Sequence, residues 1–368
     1  MVAPGPAGSD PSGTGTVLHV GGPALPYDPT YHLLWRVDKV RDAVTQRRPD
    51  VLEIHSPYVA AISAMSLGRS SFGIRTFVWH ADFIDTYLRG SLEKKLGVRA
   101  TSAVVEPLWA WVRAIARACD ATFVASQWQK DKLDAHGVER TILLPFGVEK
   151  DVFTPSARSE AKRRELLGAH APTGSAAGNV TGKGPALLVA IGRFAVEKRW
   201  DVVLDAFIEL RARGRDAVLV IFGDGPERAK MEAQVRGRDD VRFLGFEKDR
   251  HALAQVLASA DALVHGCPFE TFGLGVAEAV ACGLPLVVPD EGGAFEQADP
   301  VSSIVYPTGD VHACAAAIEA LLDRDPASRR EAALAAAARV PSVVTHFEKL
   351  YAMYDQLLGG WRPKRVST

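Results

Sequence analysis

Residues 265–289, HGCPFETFGLGVAEAVACGLPLVVP, constrain the fold of this chain more than any other stretch. An apolar run at residues 261–264 leads into a polar loop that ends at Glu270. Gly273 and Gly275 follow, then residues 276–282 in good helix formers and a second β-type run at residues 285–288. Strand, glycine loop, helix and strand make one βαβ unit. The loop leaves bare backbone N–H groups at a helix N-terminus, which suits an anion such as a phosphate. Glu270 and Glu278 frame the loop, eight positions apart. On one helix they would lie about 12 Å apart, whereas a pair for double-displacement glycoside hydrolysis needs about 5 Å. The two carboxylates suit opposite ends of one long ligand. The plain alternative is a packing glycine pair with both glutamates solvated.

The rest of the chain repeats the alternation. Strand candidates fall at residues 16–20, 51–55, 76–80, 121–125 and 141–144, with helices at 38–48, 59–67, 108–118 and 129–136. The strand at 76–80 delivers His80 and Asp82 into a loop. Residues 168–184, GAHAPTGSAAGNVTGKG, have linker composition. A second series follows: strands at 186–191, 218–222 and 241–244, helices at 253–258, 313–322 and 327–339, and a last helix at 343–358. Trp200, Val203, Leu204 and Phe207 keep the i, i+3, i+4, i+7 spacing of a helix. Strands alternating with helices imply parallel sheets covered on both faces. The expected division is a flexible tail at 1–15, a first domain at 16–167, a linker at 168–184 and a second domain at 185–340. A helix at 341–360 then reaches back across the first domain.

A length of 368 residues accommodates two such domains. A formal charge of −1 gives no electrostatic case for nucleic acid as a partner. Cys119, Cys267, Cys282 and Cys314 are scattered without C-x-x-C spacing, which argues against a zinc site or disulfide framework and fits a reducing compartment. No apolar run approaches the ~18 residues of a membrane span, so the expected location is cytoplasmic. Trp35, Trp109, Trp111 and the basic residues 162–164 are the candidates for peripheral membrane contact, though residues of these kinds are more commonly core and solvated helix.

Arg193 and Lys198 stand just after the strand at 186–191, where open α/β sheets bind ligands. Arg offers phosphate oxygens a planar fork and Lys a point charge. Together they suit a diphosphate; alone, such a pair is more often a solvated loop. The turn GDGP, residues 223–226, is weaker evidence still.

In order along the chain, GRFAVEK (192–198), GDGP, FLGF (243–246) and ETFGLGVAEAVACGLPLVV (270–288) closely resemble the motifs of the retaining family-four glycosyltransferases. PFGV (145–148) followed by Phe153 and Pro155 is similar to that family's segment before the hinge. The resemblance implies the GT-B fold, an α/β architecture of two Rossmann-like domains facing each other across a cleft. A nucleotide-diphospho-sugar, UDP- or GDP-linked, would be held by the second domain. A glycan, lipid or small-molecule acceptor would lie on the first. By the same resemblance Gly192, Arg193 and Lys198 match the diphosphate-binding loop, and Glu270 the glutamate at the donor sugar. Phe272, Gly273 and Leu274 match the loop whose amides meet sugar and phosphate. Glu278 matches the residue on the ribose hydroxyls and His80 the histidine near the reacting sugar. Gly223 and Asp224 match a nucleotide-side turn.

The implied reaction retains anomeric configuration. It uses no cofactor beyond the sugar-nucleotide co-substrate and no metal. Arg193, Lys198, His80 and Glu270 are its catalytic candidates. Some positions depart from the family pattern. Little chain precedes what looks like a late part of the first domain, so that domain is expected to be shortened at its start. HVGGP (19–23) is not equated with the family's first glycine loop, Phe146 replaces a common asparagine, and Arg199 a common glycine. The competing readings are a nucleotide-sugar-binding protein with impaired or no turnover, and a nucleotide-sugar epimerase on the same architecture.

Overall fold

Apolar strands in this chain are buried by pairing side by side and by helices laid over both faces, and this occurs twice. The computed structural model describes residues 1–4, 8–12, 15–25, 28–32, 34–80, 82–172 and 184–359. At the start, β1 (Val2–Pro4), β2 (Gly8–Ser12) and β3 (Gly15–Val20) form a small sheet with β3 in the middle. Next, β4 (Ala24–Leu25) pairs with β5 (Asp28–His32). The described parts of the tail expected at residues 1–15 contribute strands to this sheet. Composition reports on side chains, whereas ladder bonds use the main chain, and Val17 and Val20 of β3 are buried.

The first large sheet contains β6 (Val51–Ile54), β7 (Ile74–Trp79), β8 (Ala121–Val124) and β9 (Thr141–Leu143), adjacent in that order and all parallel. The helix Val98–Ala118 covers one face through Val105, Trp109, Val112 and Ile115. It starts ten residues before the helix expected at 108 and carries Pro107 in its interior. An internal proline removes one backbone hydrogen bond, and this buried apolar stripe offsets the loss. Leu350 and Tyr354 of the last helix, Val343–Leu358, pack on the other face against Ile74, Ala121 and Phe123. The Tyr354 hydroxyl donates to Glu53 on β6.

The second sheet contains β10 (Ala186–Ile191), β11 (Ala217–Phe222), β12 (Val241–Gly245), β13 (Ala262–Val264), β14 (Leu286–Pro289) and β15 (Ile304–Tyr306). All pairs are parallel, and the spatial order is β12-β11-β10-β13-β14-β15. Near-continuous apolar runs such as ALLVAI and AVLVIF suit strands buried on both sides, and two clusters cover the two faces. Residues 168–170 form a single 3-10 turn; most of the expected linker, residues 173–183, lies outside the described residues.

The residues considered for membrane contact have separate structural roles. Trp109 is only 1% exposed and Trp35 is 66% exposed. Trp111 donates to the Pro57 carbonyl at 2.6 Å. Arg163, expected on a solvated helix, is buried: it pairs with Asp261 at 2.7 Å and donates to the Ser259 and Pro185 carbonyls. Among the described residues, no helix is long and apolar enough to cross a membrane.

Candidate functional site

β10 and β13 lie side by side, but the chain leaves β10 toward β11 and leaves β13 toward β14. Loops that diverge from neighbouring strand ends leave a crevice between them, the usual ligand site of such sheets. Most of the residues singled out in the sequence stand on these two loops.

After β10, Phe194 is fully buried and packs edge-on against Trp200 and Phe243. The Trp200 indole N–H donates to the Arg193 carbonyl at 3.0 Å. This anchor fixes the loop that carries Arg193 and Lys198. After β11, Gly223 has φ +147, and a Cβ there would lie 1.9 Å from the Gly192 carbonyl oxygen. Only glycine allows the two turns to approach so closely. Asp224 closes its turn by accepting from the Gly225 N–H at 2.8 Å.

After β13, the chain passes His265, Cys267 and Glu270 into the helix Leu274–Ala281. Gly273 stands before that helix in the left-handed region, at φ +80, and no side chain caps the first turn. Gln297 fastens the loop by donating from Nε2 to the Phe272 and Gly273 carbonyls, the latter at 3.2 Å.

These loops surround a cavity of about 950 Å³. Gly192, Arg193 and Lys198 line one side, Gly223 and Asp224 another, and Glu270, Gly273 and Leu274 a third. Positive side chains and a helix N-terminus therefore face one space. Lys198 donates through Nζ to Glu270. Burial alone would push the Glu270 carboxyl up, but His265 and the Lys198 charge outweigh it and hold it at about 2. Lys198 is correspondingly raised: burial lowers it, and the Glu270 charge more than compensates.

Three singled-out residues do not line the cavity. Glu278 is buried and pairs through Oε1 with Arg250 at 2.9 Å; Arg250 also binds Glu149 at 2.9 Å. Burial raises the Glu278 carboxyl in spite of Arg250. Leu274 and Leu253, one turn away on the same two helices, do line the cavity. Phe272 turns its ring into the protein, edge-to-face on Phe146 at 5.5 Å between centroids, so only its backbone can serve a ligand. His80 follows β7 on the first domain, its ring 5.6 Å from that of His55. Partial burial and the nearby His55 hold His80 below its ordinary pKa.

Several site residues gave no signal in the sequence. The Thr271 hydroxyl donates to the His80 carbonyl at 2.9 Å, and the Ser126 hydroxyl donates to the Thr271 carbonyl at 2.7 Å. The Glu296 carboxylate accepts from the backbone N–H groups of Gln127, at 2.9 Å, and Trp128. These bonds tie the first turn of the helix Gln127–Ala135 to the second domain. Ser126 is legible as an N-cap, but its partner across the cleft is not. His265, Cys267 and Glu270 bring an imidazole nitrogen, a thiol sulfur and a carboxylate oxygen within 4.8 Å of one another. Burial pushes the Cys267 thiol up to about 12. The sequence holds one Asp-x-Asp string, at Asp323 and Asp325. Asp323 pairs with Arg215, Asp325 caps the helix Pro326–Arg339, and neither lines the cavity.

Two parallel α/β domains and a positively lined crevice at the switch point of the second define an architecture suited to a phosphate-bearing ligand. Residues 1–152 match the family model described as Glycosyltransferase Family 4, and residues 185–324 that described as Glycosyl transferases group 1. A GDP-mannose-dependent alpha-mannosyltransferase of Mycolicibacterium smegmatis is 32% identical over 322 residues, 84% of this chain and 74% of that one. The chain belongs to the family-four glycosyltransferases, with the GT-B fold. It is also 33% identical over 251 residues to a GDP-mannose-dependent alpha-(1-6)-phosphatidylinositol dimannoside mannosyltransferase of Mycobacterium tuberculosis. That match covers 68% of this chain and 59% of the relative, so the chain spans about three fifths of the relative's length. Among solved structures, sucrose-phosphate synthase from Thermosynechococcus elongatus superposes with a TM-score of 0.70 at 19% identity, covering 95% of this chain and 85% of that one. HepE of Anabaena, solved with UDP and glucose, gives 0.66 at 19% identity, covering 87% and 81%.

Proposed function

We propose that this chain is a retaining, metal-independent glycosyltransferase that moves a hexosyl group from a nucleotide-diphospho-sugar to a hydroxyl acceptor. One observation carries the reading: Arg193, Lys198 and the first turn of the helix Leu274–Ala281 line one cavity at the switch point of the second sheet, with Glu270 beside them. On this reading the diphosphate lies against the positive groups and Glu270 faces the sugar. Departure of the diphosphate leaves negative charge, and fixed positive groups stabilise it without reorganising. The anomeric carbon loses its bond to the diphosphate oxygen and gains one to the acceptor oxygen on the same face. The acceptor proton passes to the departing phosphate, so no protein base is required. Orientation of the two substrates across the cleft supplies the remainder of the catalysis.

The names of the relatives make GDP-mannose the first donor to try, and favour transfer over epimerisation. They also make glycolipids and glycans the first acceptors. The test is a panel of GDP- and UDP-sugars with such acceptors, read by nucleotide diphosphate release and by the anomeric configuration of the product. A retained anomer is expected. Absence of donor binding together with absence of diphosphate release across the panel would refute the reading, and an inverted product would refute retention.

A further inference from the structure

Within the loop after β13, His265 is only 6% exposed, and its Nε2 makes no hydrogen bond of good geometry. It lies 3.4 Å from Glu270 Oε1, and Cys267 Sγ completes a set of atoms within 4.8 Å of one another. That contact with Glu270 is long, and the same carboxylate oxygen is taken up by Lys198 Nζ, so the buried ring nitrogen is poorly satisfied. We propose that His265, Cys267 and Glu270 form a binding site for a borderline-soft divalent cation, Zn²⁺, which excludes the Lys198–Glu270 ion pair.

The donor set and its spacing decide the kind of ion. Zn²⁺ bonds nitrogen and oxygen at about 2.0–2.2 Å and sulfur at about 2.3 Å, which puts neighbouring ligands of a tetrahedron roughly 3.5 Å apart. The His265–Glu270 pair already has that separation, and the sulfur needs to move in by about an ångström on the same scale. Thiolate and imidazole select against Mg²⁺ and Ca²⁺, which require oxygen ligands. On binding, the Cys267 thiol gives its proton to solvent and forms a sulfur–metal bond. Glu270 exchanges the Lys198 ammonium for the ion, and Lys198 turns away because two cations repel. Water fills the fourth position. The spacing H-x-C-x-x-E escapes a search for C-x-x-C pairs, because one loop delivers all three ligands.

The site is tested on the full chain, freed of metal and titrated with Zn²⁺ against a chromophoric chelator, with no sugar nucleotide present. Co²⁺ substitution adds a readout, the thiolate-to-cobalt absorption. One ion per chain and a thiolate band are expected. Cys267→Ser should weaken binding by about a hundredfold or more, beyond the loss of an outer-shell partner, and abolish the band. Cys314→Ala, at a buried cysteine elsewhere, should change neither, and Lys198→Met should tighten binding. Absence of stoichiometric binding, or equal binding by Cys267→Ser with unchanged circular dichroism, would overturn the proposal. Inhibition of transfer by Zn²⁺ rests additionally on the transferase reading. The substrate-free titration is independent of that reading, so the two can fail separately.

Discussion

The Thr271 hydroxyl donates to the His80 carbonyl across the cleft at 2.9 Å. Thr271 follows Glu270 directly, and His80 ends the strand β7 of the first domain. The loops that carry Glu270 and His80 are therefore joined by a direct hydrogen bond. Ser126 and Glu296 add further hydrogen bonds between the two domains beside it.

Glu296 should matter more to closure than to folding. Its carboxylate meets two N–H groups at the start of the helix Gln127–Ala135, where the helix dipole favours negative charge. Charge-assisted bonds of this kind contribute about 1.5–3 kcal/mol, and solvent at the rim reduces that. Glu296→Ala should lower kcat/KM by about tenfold with the far-ultraviolet spectrum unchanged. Small-angle scattering should show a larger radius of gyration than wild type; equal radii and equal turnover would exclude the latch.

Lys198 should be indispensable to transfer and dispensable to the fold. It lines the cavity on a short turn whose anchors are Phe194 and Trp200. Lys198→Ala should lower kcat by about 10²–10³, the usual effect of removing a group that stabilises developing charge. Near-normal turnover in the folded variant would count against a diphosphate at this position.

Acid sensitivity should report on Glu270. Its carboxyl is held at about 2, against an ordinary 4.5. The folded state binds the proton less readily than the unfolded chain, so the pair stabilises the protein above about pH 4.5 and the gain is lost as pH falls toward 2. In urea unfolding across that interval, wild type should lose about 1–3 kcal/mol more than Glu270→Gln. Parallel curves for the two proteins would show that the ion pair does not depress this carboxyl.

Arg250 should act on the donor through Glu278. It holds a buried carboxylate that burial pushes toward the neutral form. Arg250→Met should raise the Glu278 pKa further and raise the donor KM by about tenfold, equivalent to ~1.4 kcal/mol, with kcat little changed. A fall in kcat at constant KM would place Glu278 outside donor binding.

The two α/β series and most of the strands were legible in the sequence, because strand and helix periodicity is a property of neighbouring residues. The run Ala186–Ile191 and the helix containing Trp200 and Phe207 show this plainly. Arg193, Lys198 and Glu270 were legible as well, since residues just past strand ends meet wherever a parallel sheet reverses its winding. Phe272 and Glu278 show where that reasoning stops: each is on the right loop or helix, but packing sends one ring onto Phe146 and one carboxylate onto Arg250.

The sequence by itself determined the two domains and the strand ends that hold the charged loops. Tertiary structure decided which atoms meet. Thr271 and His80 are 191 positions apart, Ser126 and Thr271 145. Contacts at that range depend on how two separately folded cores dock, and no local pattern of side chains encodes the docking. The same holds at short range for His265, Cys267 and Glu270, whose convergence depends on the path of a loop braced by Gln297 from a later turn.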